Sequence, residues 1–456
     1  MLGIIHFIKE DYPMKKVTFK LLSITIAIAM LFSIMQISSA AVVDYKITNP
    51  YESVTAYMGK DSHHYKTNLH THSTYSDANV SLDIMVKGHY NQNFDILAMA
   101  DHGVIGVEWD QTPTLLPLYY YNYLMLQDQT SLTTEEYHAI LDGSYKTSLT
   151  TRTKETGMQC VTGAIEGNYL VAQKNHINGY FMNDNRVEGV MGREGDFETM
   201  VAMIEEAGGV SHINHPGDWL SSAGDESIAR DPGNVMFFAD ILLRYESCLG
   251  IEVYNAFDRP TSKDRVLWDE LLQVTIPQGK NVWGFGNNDA HLLEDIDTAF
   301  MDFVLPSFSQ ENVRTAMENG TFFAVSRYEA GERIGNGDAY PQVTCIMVNE
   351  EADTITIIGK NCDNIKWIAD GEVIQTNDVG RNGVVSSTIK LREHTDDISC
   401  YVRAELNGEG GRTLTQAFVC DDGNMSDVEI GSTVTTVTRD FLAMLLDFIK
   451  TILFIA

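Results

Sequence analysis

The feature that most constrains the fold is a regular alternation between two kinds of segment over residues 65–325. Short runs rich in β-branched and aromatic residues alternate with stretches that have apolar residues at helical spacing, as at Phe197, Met200 and Ile204. Two strands joined through a helix usually lie parallel, so the alternation predicts an α/β fold with a mostly parallel sheet. The predicted strands are Lys66–His72, Phe94–His102, Met158–Glu166, Asn175–Phe181, Gly208–His215, Gly250–Asn255 and Asn281–His291.

A second region follows the polar, glycine-rich stretch GERIGNG at residues 331–337, which has the composition of a linker. Beyond it, short apolar runs alternate with turn signals such as Asp370-Gly371, a pattern typical of a β-sandwich. We therefore predict one domain at residues 65–335 and a small all-β sandwich at residues 340–425. The second domain contains no group of catalytic residue types. We therefore expect residues 41–335 to keep the catalytic activity of the chain when the second domain is removed. Its predicted strands are Val343–Val348, Thr354–Ile358, Ile365–Asp370, Val384–Leu391 and Ile398–Leu406.

Residues 1–40 have the features of a secretory signal peptide. Lysines at positions 15, 16 and 20 precede an apolar run from Leu21 to Met35, and Ser38-Ser39-Ala40 supplies small residues for cleavage. Residues 41–64 would then form an N-terminal lead. The protein is therefore predicted to be secreted or held on the extracellular face of the cell membrane.

Residues 426–456 are predicted to form a linker and then an apolar helix from Phe441 to Ala456. These 16 residues are short for crossing about 30 Å of hydrocarbon. Two placements stay open for this C-terminal helix, one in the membrane interface and one packed on the protein body.

The 456-residue chain has 63 acidic and 32 basic residues, which gives a net charge of −31. A field of this sign repels nucleic acid backbones, so nucleic acid is not the expected partner. Small anionic substrates stay open if a local cation attracts them. The 6 cysteines include no CxxC pair, which argues against a zinc ribbon; both disulfides and free thiols stay open.

Histidines and carboxylates fall repeatedly at the ends of the predicted strands. His70 and His72 are two residues apart, as are Asp289 and His291, so each pair shares one face of its strand. A histidine such as His102, taken alone, is more often an ordinary core residue, and the prediction rests on the recurrence. Imidazole and carboxylate together suit zinc, manganese or iron. The residues predicted to hold two or three such ions are His70, His72, Asp77, His102, Glu166, His176, His215, Asp289 and His291.

The motifs around these residues resemble those of the polymerase and histidinol phosphatase (PHP) superfamily over about residues 65–325. They are HTHSTYSD at 70–77, ADH at 100–102, GAIE at 163–166, NHPG at 214–217 and NDAH at 288–291. The resemblance implies a distorted (β/α)7 barrel with a two- or three-metal centre that hydrolyses phosphoesters. The segment GIEVYN at 250–255 and the following β domain are similar to the exported carbaryl-hydrolase-like branch, whose members need not cleave phosphate esters.

Carried over position by position, the resemblance implies three sets of ligands. The first metal ion would be held by His70, His72, Glu166 and Asp289. Glu166 would bridge to a second ion, which is completed by His176 and His215, and these three residues are the predicted catalytic group. A third ion would be held by Asp77, His102 and His291. Ala78, Ala100 and Asn288 depart from the family pattern without removing a ligand.

The expected activity is hydrolysis of a small anionic ester by a metal-bound hydroxide, most simply a phosphomonoester or phosphodiester. The sequence contains neither a GxSxG elbow nor a P-loop, which favours this route over a covalent or nucleotide-driven one. Two alternatives stay open. The same metals would serve a carboxyl- or carbamate-ester hydrolase, and a metal-stabilised cell-surface binding module would need no catalysis.

A few further residues are placed by pattern alone. His212 is predicted to be either a donor behind the metal ligands or a core residue, and His89 is predicted to lie on the surface of a helix. Arg244 and Arg259 are predicted either to bind a substrate anion or to form ordinary ion pairs.

Overall fold

The computed structural model describes residues 44–113, 128–167, 175–182, 197–220, 225–259, 261–378 and 383–425. They form a mixed α/β protein with several sheets, which confirms the predicted α/β class. The predicted signal peptide and the C-terminal helix lie outside these residues. Within the described ranges, every helix is too short or too polar to cross a membrane.

The strands divide between the region before the predicted linker and the region after it. In the first region they are β1 (Lys46–Thr48), β2 (His64–Asn68), β3 (Ile96–Ala98), β4 (Gln159–Val161), β5 (Ile165–Gly167), β6 (Ile177–Tyr180), β7 (Val210–Ile213), β8 (Cys248–Asn255), β9 (Trp283–Asn287), β10 (Ala299–Val304), β11 (Phe322–Ser326), β12 (Tyr328–Glu329) and β13 (Glu332–Arg333). In the second they are β14 (Gln342–Asn349), β15 (Thr354–Lys360), β16 (Asn364–Ala369), β17 (Glu372–Asp378), β18 (Val384–Lys390), β19 (Tyr401–Gly408), β20 (Gly411–Leu414) and β21 (Phe418–Asp421).

The described α-helices all precede the linker and pack their apolar faces against the sheets. In the third of them, Phe197, Met200 and Ile204 are buried together, as their spacing predicts. The helices are α1 (Leu82–Asn91), α2 (Thr134–Asp142), α3 (Phe197–Glu206), α4 (Pro216–Leu220), α5 (Pro232–Arg244), α6 (Asp264–Thr275) and α7 (Gln310–Asn319).

The strands predicted to form one barrel are divided between two hydrogen-bonded sheets. Strands β2, β3 and β4 are parallel neighbours, and this sheet continues through β10 and β11. Strands β5 to β9 form the other sheet in chain order. Two isolated parallel bridges, Thr71 to Ala290 and His102 to Glu166, connect the sheets just beyond the strand ends. The two sheets therefore meet where the predicted metal ligands lie.

Two details of the predicted parallel order are wrong. The run Met158–Glu166 is divided into β4 and β5 at Gly163, whose φ of 73° is a left-handed conformation that favours glycine. The fourth predicted strand, observed as β6, is antiparallel to both β5 and β7. Only residues 168–176 separate β5 from β6, and this is too short for the crossover that a parallel pair needs.

The region after the linker is built of strands, as predicted, but it shares a sheet with the first region. Strands β14, β15 and β18 form a separate sheet in which β18 buries alternate residues. Strands β16, β17, β19, β20 and β21 form the remainder, and β20 pairs with β11 through Ala324 and Leu414. Strand β1 pairs with β21. Backbone hydrogen bonds therefore join residues on the two sides of the linker.

A buried ion pair also crosses from one region to the other. The carboxylate of Asp269 on α6 accepts hydrogen bonds from Nε and Nη2 of Arg403, each at 2.7 Å, and from the Tyr401 hydroxyl at 2.8 Å. The Arg403 guanidinium lies 5.0 Å from the ring centroid of Trp268. A chain ending at residue 335 would lose these donors to Asp269 and would expose the surface of α6 that they cover. Independent activity of residues 41–335 stays a prediction, and this pair is its main physical obstacle.

We expect Arg403→Met to lower the free energy of unfolding by about 3 kcal/mol, because it leaves one buried charge of the pair uncompensated. Urea unfolding at pH 7 measures the change. Arg244→Met is the matched control, since Arg244 makes its ion pairs with Glu198 and Asp240 at the exposed end of α5, and we expect a much smaller loss there. Equal losses in the two variants would contradict the prediction.

Candidate metal centre

The structure brings together all the residues that the sequence predicts as metal ligands. Most of them follow strand ends: His70 and His72 lie just beyond β2, His102 beyond β3, and His215 beyond β7, whereas Glu166 lies within β5 and His176 directly precedes β6. Four overlapping groups, each with its ligand atoms within 4.8 Å of one another, contain the whole set. The groups are His72, Asp77, His102 and His291; His70, His215 and Asp289; His70, His72 and Glu166; and His102, Glu166 and His176.

Two of these residues have backbone conformations that non-glycine residues rarely adopt. The φ angle is 26° at His215 and 48° at Asp289. Hydrogen bonds hold both residues, because the His215 N–H donates to Glu252 Oε2 at 3.1 Å and Asn255 Nδ2 donates to Asp289 Oδ2 at 3.2 Å. Strain of this kind is usual at functional sites, where the surrounding structure offsets its cost.

Glu166 lies at the middle of the cluster and is fully buried. Its Oε1 is 2.9 Å from His176 Nδ1 and 3.3 Å from His70 Nε2. Its Oε2 is 2.7 Å from His102 Nδ1 and 3.3 Å from His72 Nε2. Each carboxylate oxygen therefore faces two imidazole nitrogens, so Glu166 is the carboxylate shared by the largest number of candidate ligands in the cluster.

The donor atoms around His70 fit a cation. Nδ1 of His70 lies 2.8 Å from Glu252, so in the neutral tautomer this nitrogen carries the proton and Nε2 has a free lone pair. That Nε2 lies 3.1 Å from both His72 Nε2 and Asp289 Oδ1. Asp289 Oδ1 is buried and has no hydrogen-bond donor. Lone pairs that face each other in a buried site favour a divalent ion between them, and nitrogen with carboxylate oxygen suits zinc, manganese or iron.

Asp77 and His291 form the outer part of the cluster. Asp77 lies 3.2 Å from His291 Nε2 and 3.3 Å from His102 Nε2. A cleft of ≈ 210 Å³ opens here, and its other lining residues include Asp218, Asn255 and Thr261. A small molecule that enters the cleft therefore meets the metal-binding groups directly.

Charge pairing sets the protonation of the cluster. Burial raises the pKa of Glu166, but His102, His176 and His70 outweigh it and hold the pKa well below its ordinary value. Burial lowers the pKa of His70, but Asp289, Glu252 and Glu166 outweigh it and raise that pKa well above its ordinary value. A proton on the His70 imidazole thus compensates the carboxylates around it when no metal is bound. Metal ions must displace this proton, so their affinity falls at low pH.

Glu252 is a residue of the site that the sequence interpretation missed. It is fully buried on β8, and its Oε1 lies 2.8 Å from His70 Nδ1. The same oxygen accepts a hydrogen bond from Asn287 Nδ2 at 2.9 Å, and Oε2 accepts one from Asn255 Nδ2 at 3.0 Å. Glu252 therefore orients the His70 ring through Nδ1, while Nε2 faces the other candidate ligands. The sequence did contain one signal for this role. Glu252 is a carboxylate in the middle of an apolar strand, where burying an unpaired charge would cost free energy.

Asp101 and Asn214 also support the ligands from positions next to predicted ones. Asp101 Oδ1 accepts hydrogen bonds from Ser73 N and Ser76 Oγ, both at 2.7 Å, and so shapes the loop that carries Asp77. Asn214 Nδ2 donates to Glu166 Oε1 at 2.7 Å. Both lie inside the motifs ADH and NHPG, but spacing alone does not distinguish them from ordinary neighbours.

Two further histidines named in the sequence analysis have structural roles. His212 is a core residue: it lies outside the four groups, its ring is 4.4 Å from Phe285, and its Nε2 is 3.0 Å from the Tyr180 hydroxyl. The surface prediction for His89 is wrong. Its ring is fully buried, and Nε2 lies 3.0 Å from Asn288 Nδ2, because this face of α1 packs towards the centre.

The pKa of His212 should make stability depend on pH in the metal-free chain. Burial lowers this pKa to about 4, so the folded residue stays neutral while the unfolded one binds a proton below about pH 6.5. The contribution of neutral His212 to the free energy of unfolding is therefore present at pH 7 and is lost as pH falls towards 4. We expect metal-free wild type to lose about 2 kcal/mol more than His212→Asn between pH 7 and pH 5.

Urea unfolding of the two proteins at both pH values measures this difference. His138→Asn is the control, because His138 lies exposed on α2. The prediction fails if His212→Asn shows the same pH dependence as wild type.

No protein-family model and no curated protein matches the chain. Among solved structures, it is similar to a two-domain protein from Bacteroides vulgatus that contains a predicted PHP-like metal-dependent phosphoesterase, with 16% identity, a TM-score of 0.39, and coverage of 78% of this chain and 95% of that one. PsfC from Pseudomonas syringae has 13% identity and a TM-score of 0.32, covering 55% and 88%. The lesion-specific endonuclease PfuEndoQ from Pyrococcus furiosus has 13% identity and a TM-score of 0.32, covering 56% of each chain. The family that the sequence motifs resemble is thus also named among the solved structures to which this chain is similar.

Proposed function

We propose that this protein is an exported, metal-dependent phosphoesterase of the PHP type. The observation that carries the proposal is that all the predicted ligands lie in one set of overlapping groups that includes the buried carboxylate of Glu166, beside a cleft of ≈ 210 Å³. A binding module stabilised by one structural ion would need only a closed set of about four ligands. The number and overlap of the groups favour a centre with more than one ion.

We also propose the distorted (β/α)7 barrel of that family as the scaffold. The bridges from Thr71 to Ala290 and from His102 to Glu166 support it, because they join β9 and β5, the two edge strands of the second sheet, to the chain just beyond β2 and β3 of the first. Export rests on the predicted signal peptide at residues 1–40.

The proposed ion sites follow the three sets that the family resemblance implies. Bound divalent ions would activate water and withdraw charge from the ester. Side chains of the protein would hold these ions. Glu166 would bridge the first and second sites, and the short distances from its Oε1 to His176 and His215, which border the cleft, support this role. Asp77 and His291 would hold a third ion at the entrance.

A centre of this kind explains how a chain of net charge −31 could attract an anionic ester. The described lining of the cleft has no lysine or arginine, and its histidines face carboxylates. Metal ions would therefore be the main positive charges that the substrate meets. Removing them should abolish binding of a phosphate group, and should not merely slow its hydrolysis.

The full chain should be tested on p-nitrophenyl phosphate, bis-p-nitrophenyl phosphate and 1-naphthyl acetate. We expect hydrolysis of at least one phosphoester with added manganese or zinc, loss of activity with a chelator, and recovery when the ion is restored. The variant His138→Asn is the control for purification and metal loading. Hydrolysis of the naphthyl ester alone would favour the carboxyl- or carbamate-ester alternative, and metal binding without any hydrolysis would favour a binding module.

A further inference from the structure

Beside the cleft, the loop that follows β8 packs against the hairpin of β12 and β13. Asn255 and Thr261, at the two ends of this loop, both line the cleft. The loop turns tightly between them, because the Asp258 N–H and the Thr261 hydroxyl donate to the Asn255 carbonyl at 2.9 and 3.4 Å. Residues inside this turn are therefore held close to the cleft entrance.

Two contacts fix the hairpin to the loop. Asp258 is fully buried, and its Oδ2 accepts a hydrogen bond from the Ala330 N–H at 3.0 Å. The rings of Phe257 and Tyr328 meet edge to face with their centroids 5.0 Å apart. The hairpin and the loop thus form one packed wall, which reaches the cleft through Asn255 and Thr261 at the two ends of the loop.

This wall carries two arginines. Arg259 lies across the tip of the hairpin, where a Cβ atom on Gly331 would be only 2.6 Å from its Nε. Gly331 has a φ of 87°, so glycine serves both the turn and the close approach of Arg259. The Arg333 guanidinium lies 5.6 Å from the ring centroid of Tyr328. We call the set Phe257, Arg259, Tyr328 and Arg333 the arginine rim.

The two arginines differ from their neighbours in having no carboxylate partner. Nearby, Arg412 pairs with Glu329 and Arg265 pairs with Asp258, each at 2.7 Å. Arg259 and Arg333 are exposed, and within the described residues neither lies within 4.0 Å of a carboxylate oxygen. This is unusual in a chain with 63 acidic and 32 basic residues. Their charge is available to a ligand.

We propose that the arginine rim binds a second oxyanion of the substrate, a carboxylate or phosphate carried beyond the ester that is hydrolysed. Guanidinium groups bind such oxyanions with charge-assisted, often bidentate hydrogen bonds. Phe257 is two residues from Asn255, so their Cα atoms are at most about 7.6 Å apart. The metal centre would hold the phosphoester while the rim selects substrates with a distant negative charge. The inference rests on the proposed function, because it assigns the non-reacting part of that substrate.

Unreactive phosphonates separate this inference from catalysis, since their P–C bond is not an ester. The full chain loaded with Mn²⁺ should be titrated calorimetrically with phenylphosphonate, 4-carboxyphenylphosphonate and 1,4-phenylenediphosphonate. We expect the two ligands with a second oxyanion to bind about tenfold more tightly than phenylphosphonate. The carboxylate and phosphonate arms show which oxyanion the rim prefers. Arg259→Ala should remove the preference, and Arg259→Lys should restore part of it.

Arg244→Ala is the matched control, because it removes an exposed arginine that is paired on α5, and it should keep the preference. Equal binding of the three ligands by wild type would overturn the inference and leave the phosphoesterase proposal standing. A preference that survives both Arg259→Ala and Arg333→Ala would also overturn it. If phenylphosphonate itself does not bind, the proposed function fails, and the inference fails with it.

Discussion

Glu166→Ala is expected to remove two metal ions at once and to lower phosphoester hydrolysis by more than about 100-fold. Both oxygens of this carboxylate lie 2.7–3.3 Å from imidazole nitrogens, so its loss opens two adjacent sites. Elemental analysis of the purified variant measures the bound ions, and p-nitrophenyl phosphate measures the activity.

The matched control for this change is Glu311→Ala, since Glu311 is exposed in the first turn of α7. It should keep the metal content and the activity of wild type. Circular dichroism must show that Glu166→Ala is folded. A folded Glu166→Ala protein with the full metal complement would show that Glu166 does not bridge two ions.

Glu252→Gln is expected to weaken metal binding by about 10- to 100-fold, although Glu252 lies behind the ligands. The glutamine has the same shape but loses the negative charge that accepts the Nδ1 proton of His70 and makes its Nε2 a better ligand. Competition with a chromogenic chelator measures the affinity. Glu252→Asp keeps the charge at a shorter reach and should bind metal better than Glu252→Gln.

Glu405→Gln is the matched control, because Glu405 is also a buried glutamate on a strand but pairs with Lys366 and Arg412. It should leave metal affinity unchanged. If Glu252→Gln binds metal as tightly as wild type, His70 needs no support from Glu252, and the carboxylate serves stability alone.

The clustering of the candidate ligands could be predicted from sequence because its signal is local. The spacing of His70 and His72 and of Asp289 and His291 places each pair on one face of an extended chain, and short motifs mark the other positions. The supporting residues were harder to predict, because Glu252 and Asn214 contact their partners through the fold and not through spacing. Their burial is what distinguishes them, and burial cannot be read from spacing.

Topology was predictable only where neighbours in sequence are neighbours in space. Alternating strands and helices indicated the α/β class, but the reversed direction of β6 depends on a connection too short for a crossover. The pairing of β11 with β20 joins Ala324 to Leu414. Residues so far apart in the chain produce no periodic pattern in the local sequence from which their contact could be predicted. The sequence pattern therefore predicted two regions without predicting their shared sheet.

The proposed metal centre lies where the two sheets meet, and this position has a second consequence. His70, His72 and His102 extend from the first sheet, whereas Glu166, His215 and Asp289 belong to the second. Ions held by both groups would act as cross-links across an edge that otherwise has isolated backbone bridges. Ligands that bind only the folded state raise its stability by mass action. The supply of metal in the surroundings would then set the stability of the folded chain as well as its activity.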